Sequence, residues 1–237
     1  IIPIFNEAAF IDKLLKKICK INLKRIGFKK EIIAVNDGST DNSAKIIQRF
    51  KKKVKLINQK NQGKGKAVQT GIFYATGDYV LVQDADLEYD PNDYIIMLDK
   101  IKNKKNISIY GSRVMGQLKK KNSSFFKGKH KKQSIGPYFM NIVLKQLFFF
   151  LFKKKVTDLL TGYKVYEKKF FKNNDIKTKG FETDHEISAK LVKQGYNIIE
   201  VPISYNPRTK AQGKKINFLD AIKAIYTIVR FYITKWL

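Results

Sequence analysis

The sequence predicts an α/β protein, a mostly parallel central sheet flanked by helices. Over the first hundred residues, short β-branched runs alternate with segments whose apolar residues recur every three or four positions, the signature of βαβ units. Each apolar run enters a stretch rich in Asn, Asp or Gly, and functional residues in such sheets gather at the carboxyl ends of strands. At 237 residues, 43% of them hydrophobic, the chain makes one large domain, or a domain with an appendage, around a real core. Wholesale disorder and low-complexity scaffolds are excluded.

In order, Ile1–Ile4, Glu31–Val35, Val54–Ile57 and Tyr79–Val82 read as strands, with Ala8–Ile21, Asp41–Lys51 and Ala67–Ala75 as the helices between them. Pro91 opens a further helix through about Asn103, and Ile107–Tyr110 is a fifth strand ending in Gly111-Ser112-Arg113. Regularity then stops. Residues 117–132 set Lys119, Lys120, Lys121, Lys127, Lys129, Lys131 and Lys132 around Phe125 and Phe126, a basic aromatic loop. Ile135–Phe152 is strongly apolar, but Pro137, Asn141, Lys145 and Gln146 favour an interfacial helix over a buried span. A strand around 162–166, a helix over Asp184–Gln194 and a strand over Asn197–Ile203 follow. In the last helix, Ile216–Leu237, the residues Asp220, Lys223, Thr227, Arg230 and Thr234 form a narrow polar stripe beside a wide apolar face. That face either meets a membrane or lies between layers of the protein. The chain starts Ile1-Ile2-Pro3 without methionine and ends Trp236-Leu237 in a helical pattern, so both ends read as truncated. No window reaches the roughly 20 apolar residues of a membrane span.

Cys19 is the single cysteine, and His130 and His185 are the only histidines. A disulfide is excluded and a soft-metal centre has few ligands, so any metal is oxygen-bound. The formal charge of +28 predicts attraction to polyanions: nucleic acid, acidic lipid or phosphorylated metabolites. Nearly all of the surplus is lysine, which composition bias also explains. The five arginines are more informative, because a fixed fork of donors suits phosphate where lysine offers a point charge.

Asp84-Ala85-Asp86, with Glu88 two residues on, directly follows the apolar strand at 79–82. Two carboxylates one residue apart on an irregular strand end can face one hard cation, and magnesium wants few protein oxygens plus substrate phosphate. Asp37, in Val35-Asn36-Asp37-Gly38-Ser39-Thr40-Asp41, is suited to a ribose hydroxyl or a base edge, and Pro3-Ile4-Phe5-Asn6-Glu7 repeats the arrangement at the first strand end. Gly63-Lys64-Gly65-Lys66 opens the third helix as an anion site. It lacks the Gly-Lys-Ser/Thr of a phosphate-binding P-loop and the third glycine of a dinucleotide fingerprint, so kinase, ATPase and dehydrogenase readings lose their anchor.

This ordered set resembles the family-2 glycosyltransferases of the GT-A fold, in the branch of dolichol-phosphate mannosyltransferases and similar polyprenyl-phosphate glycosyltransferases. Asn61-Gln62-Gly63-Lys64-Gly65, Asp84 through Pro91, Tyr110-Gly111-Ser112-Arg113, residues 161–166 (Thr-Gly-Tyr-Lys-Val-Tyr) and residues 200–205 (Glu-Val-Pro-Ile-Ser-Tyr) extend it over essentially the whole chain. The resemblance implies a single GT-A (Rossmann-like) domain. Residues 1–113 would form a nucleotide-sugar-binding half, and 114–237 an acceptor-binding half with C-terminal amphipathic, membrane-facing helices. It assigns Pro3, Phe5, Glu7, Asp37, Lys64, Asp84, Ala85, Asp86, Arg208 and Lys214 to the nucleotide-sugar. Asp84, Asp86 and Glu88 would hold Mg2+ or Mn2+, although relatives often place a glutamine at the last position. Arg113 and Ser134 match positions expected to grip the acceptor phosphate.

The activity implied is inverting transfer of a hexose, mannose or glucose, from a GDP- or UDP-sugar to dolichyl or polyprenyl phosphate. The location implied is the cytoplasmic face of a membrane with an anionic surface. The acceptor is already anionic, so a strong general base is not required; Asp158 is the candidate if one exists. The acidic run from Glu182 to Glu186 is left without a role. A glycan or other lipid acceptor is the near alternative. Nucleic acid is not an expected partner, because carboxylates clustered at strand ends repel a phosphate backbone.

Overall fold

A computed structural model describes residues 1–102, 104–120, 126–208 and 218–234. The strands β1 (Ile2–Ile4), β2 (Ile33–Asp37) and β3 (Lys55–Gln59) are parallel neighbours in that order, with Ile2 opposite Ala34 and Val35 opposite Ile57. A second sheet holds β4 (Tyr79–Leu81), β5 (Ile107–Ser112), β6 (Lys164–Glu167) and β7 (Asn197–Pro202) in the order β4-β6-β5-β7. The Ile1 amine donates to the Leu81 carbonyl at 2.8 Å, and the Gln83 amide donates to the Ile1 carbonyl at 2.9 Å. These two bonds join the sheets into one layer running β3-β2-β1-β4-β6-β5-β7, with the carboxyl ends of β1, β2 and β4 on one edge.

The expected mostly parallel sheet holds except at β6, which runs antiparallel to both β4 and β5. Lys164-Val165-Tyr166-Glu167 is buried at every position, so it lacks the alternation that marks a one-faced antiparallel strand.

Helices cover the layer. Helix α1 (Ala8–Lys20) buries Ile11, Leu14, Leu15 and Ile18 at three- and four-residue steps. Helix α2 (Ser43–Gln48) is shorter than its pattern predicts. Helix α3 (Lys64–Tyr74) starts three residues earlier than predicted, because Gly63 turns the chain at φ +97°. A 3-10 turn at Pro91–Asp93, capped by the Asp90 carboxylate on the Asn92 amide, leads into α4 (Tyr94–Asp99). Helix α5 (Arg113–Lys119), which the sequence did not predict, is capped by the Ser112 hydroxyl on the Met115 amide at 3.1 Å. Seven residues are too few for periodicity to declare a helix.

Helix α6 (Ile135–Phe152) keeps its predicted bounds, followed by α7 (Lys169–Lys172), α8 (Thr183–Lys193) and α9 (Phe218–Ile233). Helix α6 is long and apolar enough, by length and composition, to cross a membrane. It nevertheless anchors one face on the protein through Asn141, Leu144 and Phe148 and leaves Ile135, Phe139, Val143, Phe149 and Phe150 exposed. Helix α9 packs on α6 and α8 through Ala224, Thr227, Ile228 and Phe231. Thr227 therefore leaves the polar stripe assigned to it, while Leu219, Ile222, Tyr226, Tyr232 and Ile233 face outward. Small residues such as Ala224 and Thr227 let the helices approach, and packing decided the face.

This one-sided burial has a measurable consequence. Phe148→Ala, at a fully buried position, is expected to lower the free energy of unfolding by about 3–5 kcal/mol. Phe150→Ala, at a position 70% exposed, is expected to change it by less than about 0.5 kcal/mol. Urea unfolding of the two variants measures both; equal losses would contradict the orientation of α6.

Candidate active site

The loops that leave β1 and β2 are bound to each other. Asn6, in a left-handed conformation at φ +52°, accepts the Thr40 amide at 2.8 Å and donates its own amide to the Ser39 hydroxyl. The Glu7 amide donates to the Ser43 hydroxyl and the Ala8 amide to Asp41, both at 2.9 Å. Pro3 sits in β1 opposite Val35, Phe5 lies partly exposed beyond it, and Glu7 is buried. Asp37, expected to meet a nucleoside, accepts bonds from the Gln59 side chain (2.6 Å) and from the Gln62 and Gly63 amides (2.9 and 2.8 Å). It therefore shapes the entry to α3, and so the place from which Lys64 projects.

Lys64 reaches Asp84 at 2.6 Å. Burial would lower its pKa, but Asp84, with Asp184 and Asp86 behind it, raises the ammonium above its ordinary value. The Asp84 carboxylate lies against Gly162, where an added Cβ would meet Oδ2 at 2.7 Å and the Lys64 Nζ at 3.1 Å. Gly162 is held by its amide on the Tyr89 hydroxyl at 3.2 Å, and Tyr89 stacks on Tyr163 with centroids 4.9 Å apart.

The segment after β7 returns along Asp86–Tyr89. Tyr205 bridges Tyr89 antiparallel, the Asn206 amide donates to the Glu88 carbonyl, and the Arg208 amide donates to the Glu88 carboxylate at 2.8 Å. The Arg208 guanidinium then meets Asp86 at 2.9 Å and Glu7 at 3.2 Å, and it lies over the Phe10 ring. Four carboxylates, Glu7, Asp84, Asp86 and Glu88, thus gather around two cations. Burial first, then the charges of Asp84 and Glu88, push the Asp86 carboxyl up to about 7, with Arg208 pulling the other way. Ala85 is buried between the two aspartates. Lys214 lies outside the described residues.

A second basic point stands nearby. Arg113 forks onto Asp158, with Nε to Oδ2 and Nη2 to Oδ1 each at 2.7 Å, and its amide adds a third bond at 3.0 Å. Its guanidinium lies 5.1 Å from the centre of the Tyr205 ring. Asp158, the general-base candidate, is fully buried with both oxygens engaged by Arg113, and protonating it would break a buried ion pair. Ser134, expected beside Arg113 on the acceptor phosphate, is exposed at the start of α6 and makes no capping bond there.

Below the cleft lies a polar layer whose role the sequence left open. Lys164, fully buried, is 3.9 Å from Asp184 and has its pKa lowered by burial. Glu186 holds Lys190 at 2.6 Å and accepts the Lys177 and Thr178 amides. His185 is buried with Nδ1 unpartnered among the described residues; burial, then the Lys164 charge, pull its pKa down to about 3. These partners come from distant segments, so no local motif announces them.

The layer thus carries clustered carboxylates beside Lys64 and Arg208 at the carboxyl ends of β1 and β4. The glycosyl transferase family 2 model matches residues 1–174, and the chain belongs to that family. It is 28% identical to the dolichol-phosphate mannosyltransferase of Pyrococcus furiosus over 98% of this chain and 63% of that protein. Against the UDP-N-acetylglucosamine–dolichyl-phosphate N-acetylglucosaminyltransferase of Methanococcus voltae it is 28% identical, over 97% and 93%. The glucosyl-3-phosphoglycerate synthase of Mycobacterium tuberculosis, solved with Mn2+, UDP and phosphoglyceric acid, superposes with a TM-score of 0.70 at 16% identity, covering 99% of this chain and 78% of that one. The fold is GT-A-like.

Gly162→Ala is expected to displace the Asp84 carboxylate and lower transferase activity on the order of 10²-fold, with the melting temperature nearly unchanged; steady-state rates beside a thermal melt test it. A second expectation concerns pH. Unfolded His185 titrates near 6.5 whereas the folded residue stays neutral to about 3, so the unfolded chain binds the extra proton between those values. Its contribution to stability is present above pH 6.5 and is lost as pH falls. In a His185→Gln variant the fall in unfolding free energy should be shallower by up to about 1.4 kcal/mol per pH unit; parallel curves would count against a buried neutral imidazole.

Proposed function

We propose that this protein moves a hexose, mannose or glucose, from a GDP- or UDP-sugar to dolichyl or polyprenyl phosphate, with inversion at the sugar carbon. The observation that carries the reading is two separately anchored basic groups, joined through Tyr205, which pairs with Tyr89 beside Glu88 and lies under the Arg113 guanidinium. Lys64 and Arg208 stand with the Asp84–Asp86 pair, and Arg113 stands on its own buried anchor. The first group suits a diphosphate leaving group and the second a phosphate acceptor. The names of the dolichyl-phosphate-using relatives support this division.

Asp84 and Asp86 suit Mg2+ or Mn2+. Among the described residues no group of three or more His, Cys, Asp or Glu side chains forms a closed metal site. Glu88, expected as a third ligand, therefore does not form such a group with Asp84 and Asp86, and its carboxylate accepts the Arg208 amide. When bound, the metal would neutralise charge developing on the leaving diphosphate. Lys64 and Arg208 do the same as fixed cations, exchanging carboxylate for phosphate oxygens. Glu7 orients Arg208, and Glu88 fixes its backbone. The acceptor oxygen attacks the anomeric carbon as the bond to the diphosphate breaks, and being anionic it has no proton to surrender.

The exposed apolar residues of α6 and α9 form the membrane-facing side in this reading. Lys153, Lys154 and Lys155 stand exposed at the end of α6, with Lys119, Lys120, Lys127, Lys131 and Lys132 also in solvent. Apolar insertion and attraction to anionic lipid would act together there, bringing the cleft to a lipid acceptor on the cytoplasmic face.

The test is transfer of radiolabelled sugar from GDP- and UDP-hexoses into an organic-extractable lipid, with polyprenyl phosphate and either Mg2+ or EDTA. Metal-dependent label in lipid is the expected result, and Asp86→Asn should reduce it on the order of 10²–10³-fold. Label that enters a soluble phosphate monoester instead would reassign the acceptor. Full activity of Asp86→Asn would overturn the metal assignment.

A further inference from the structure

Arg113 has a face and an edge already committed, its face over Tyr205 and its Nε–Nη2 edge on Asp158. Two of its five N–H donors bind Asp158, the Tyr205 hydroxyl draws on the guanidinium as well, and the donors left over are the ones that can meet a ligand. A guanidinium fixed in this way offers a phosphate one geometry rather than many, which is where an arginine gains over a lysine. The position of Asp158 therefore decides where the acceptor phosphate can sit.

Asp158 lies on the irregular connection between α6 and β6, which is not itself a rigid element. A single carboxylate holds it. Glu200 Oε2 accepts the Thr157 amide at 2.7 Å, and Oε1 accepts the Thr157 hydroxyl at 2.9 Å and the Asp158 amide at 3.0 Å. Glu200 belongs to β7, in register with Tyr110 of β5, three residues before Arg113. The Thr157 hydroxyl also meets the Ser112 hydroxyl at 2.6 Å, closing a ring between the two strands and the connection. Asn141 of α6 secures the outer side through the Thr157 carbonyl and the Leu159 amide.

We propose that Glu200 is a positioning residue for the acceptor phosphate: it fixes Thr157 and Asp158, and through Asp158 it aims the remaining donors of Arg113. This rests on the reading of Arg113 as the acceptor-phosphate ligand. Among the described residues Glu200 bonds to Thr157 and Asp158 and not to Arg113 itself, so in this proposal its removal acts on the arginine through Asp158. Glu200→Gln keeps the volume and replaces one acceptor oxygen by a donor that faces an N–H.

The experiment is steady-state kinetics with a short-chain polyprenyl phosphate as the varied acceptor, then with the sugar nucleotide varied. The proteins are the unaltered protein, Glu200→Gln, Thr157→Val, Arg113→Ala and the Glu200→Gln/Arg113→Ala double variant. Glu200→Gln is expected to raise the acceptor KM roughly tenfold while the donor KM stays within about twofold. The double variant should be no worse than Arg113→Ala alone, since one residue acts through the other. Thr157→Val, which leaves the carboxylate and both backbone donors in place, should move the acceptor KM the same way by less; it carries the same criterion if Glu200→Gln does not fold. An unchanged acceptor KM in Glu200→Gln beside a raised one in Arg113→Ala would overturn the proposal and leave the acceptor reading standing. Additive effects in the double variant, or equal rises in both KM values, would reduce Glu200 to a general structural role. An unchanged acceptor KM in Arg113→Ala would overturn the acceptor reading and the proposal with it.

Discussion

The site depends on a local excess of negative charge inside a protein of formal charge +28. Glu7, Asp84, Asp86 and Glu88 converge where β1 and β4 end, and Lys64 and Arg208 stand against them in direct ion pairs. Carboxylates buried and brought together are costly to ionise, and the upward shift of Asp86 reflects its burial first and the charges of Asp84 and Glu88 second. A cluster of this kind persists because the fold over-determines it. Tyr205 and Asn206 fix the returning segment on Tyr89 and Glu88, and Gly162 leaves room for the Asp84 carboxylate.

Much of the remaining architecture serves to aim cations. Asp37 spends its buried carboxylate on the Gln62 and Gly63 amides, and so sets the first turn of α3 from which Lys64 projects. Glu200 and Asp158 do for Arg113 what Asp37 does for Lys64. In both cases a carboxylate buried near a strand end binds backbone donors of a neighbouring loop, a charge-assisted bond stronger than the neutral kind. Acidic residues around the site thus divide into those that meet Lys64 and Arg208 and those that fix the neighbouring loops.

The large basic surplus lies elsewhere. Most of it is lysine in solvent, some beside the exposed apolar residues of α6 and α9. Both helices keep a full anchoring face on the protein, and their outward faces are still apolar. A soluble surface rarely carries so many large apolar groups together without a partner, and lysines around them favour one with negative charge.

The sequence by itself determined the alternation of strands and helices and the position of Asp84-Ala85-Asp86 at a strand end, because these are written in local spacing, while its ordered motifs carried the resemblance to the family. The bounds of α6 were legible from its continuous apolar run, and β1 to β5 from their β-branched residues. Tertiary structure alone decided the direction of β6, the short capped helix α5, the burial of Thr227 and the partners of Asp37 and Asp158. Arg208 reaches Glu7 across 201 positions, and Arg113 reaches Asp158 across 45. A carboxylate that will bind a ligand and one that will lock an arginine look the same in a linear pattern. What separates them is which distant donors the folded chain brings within about 3 Å, and that is fixed only when the strands have packed.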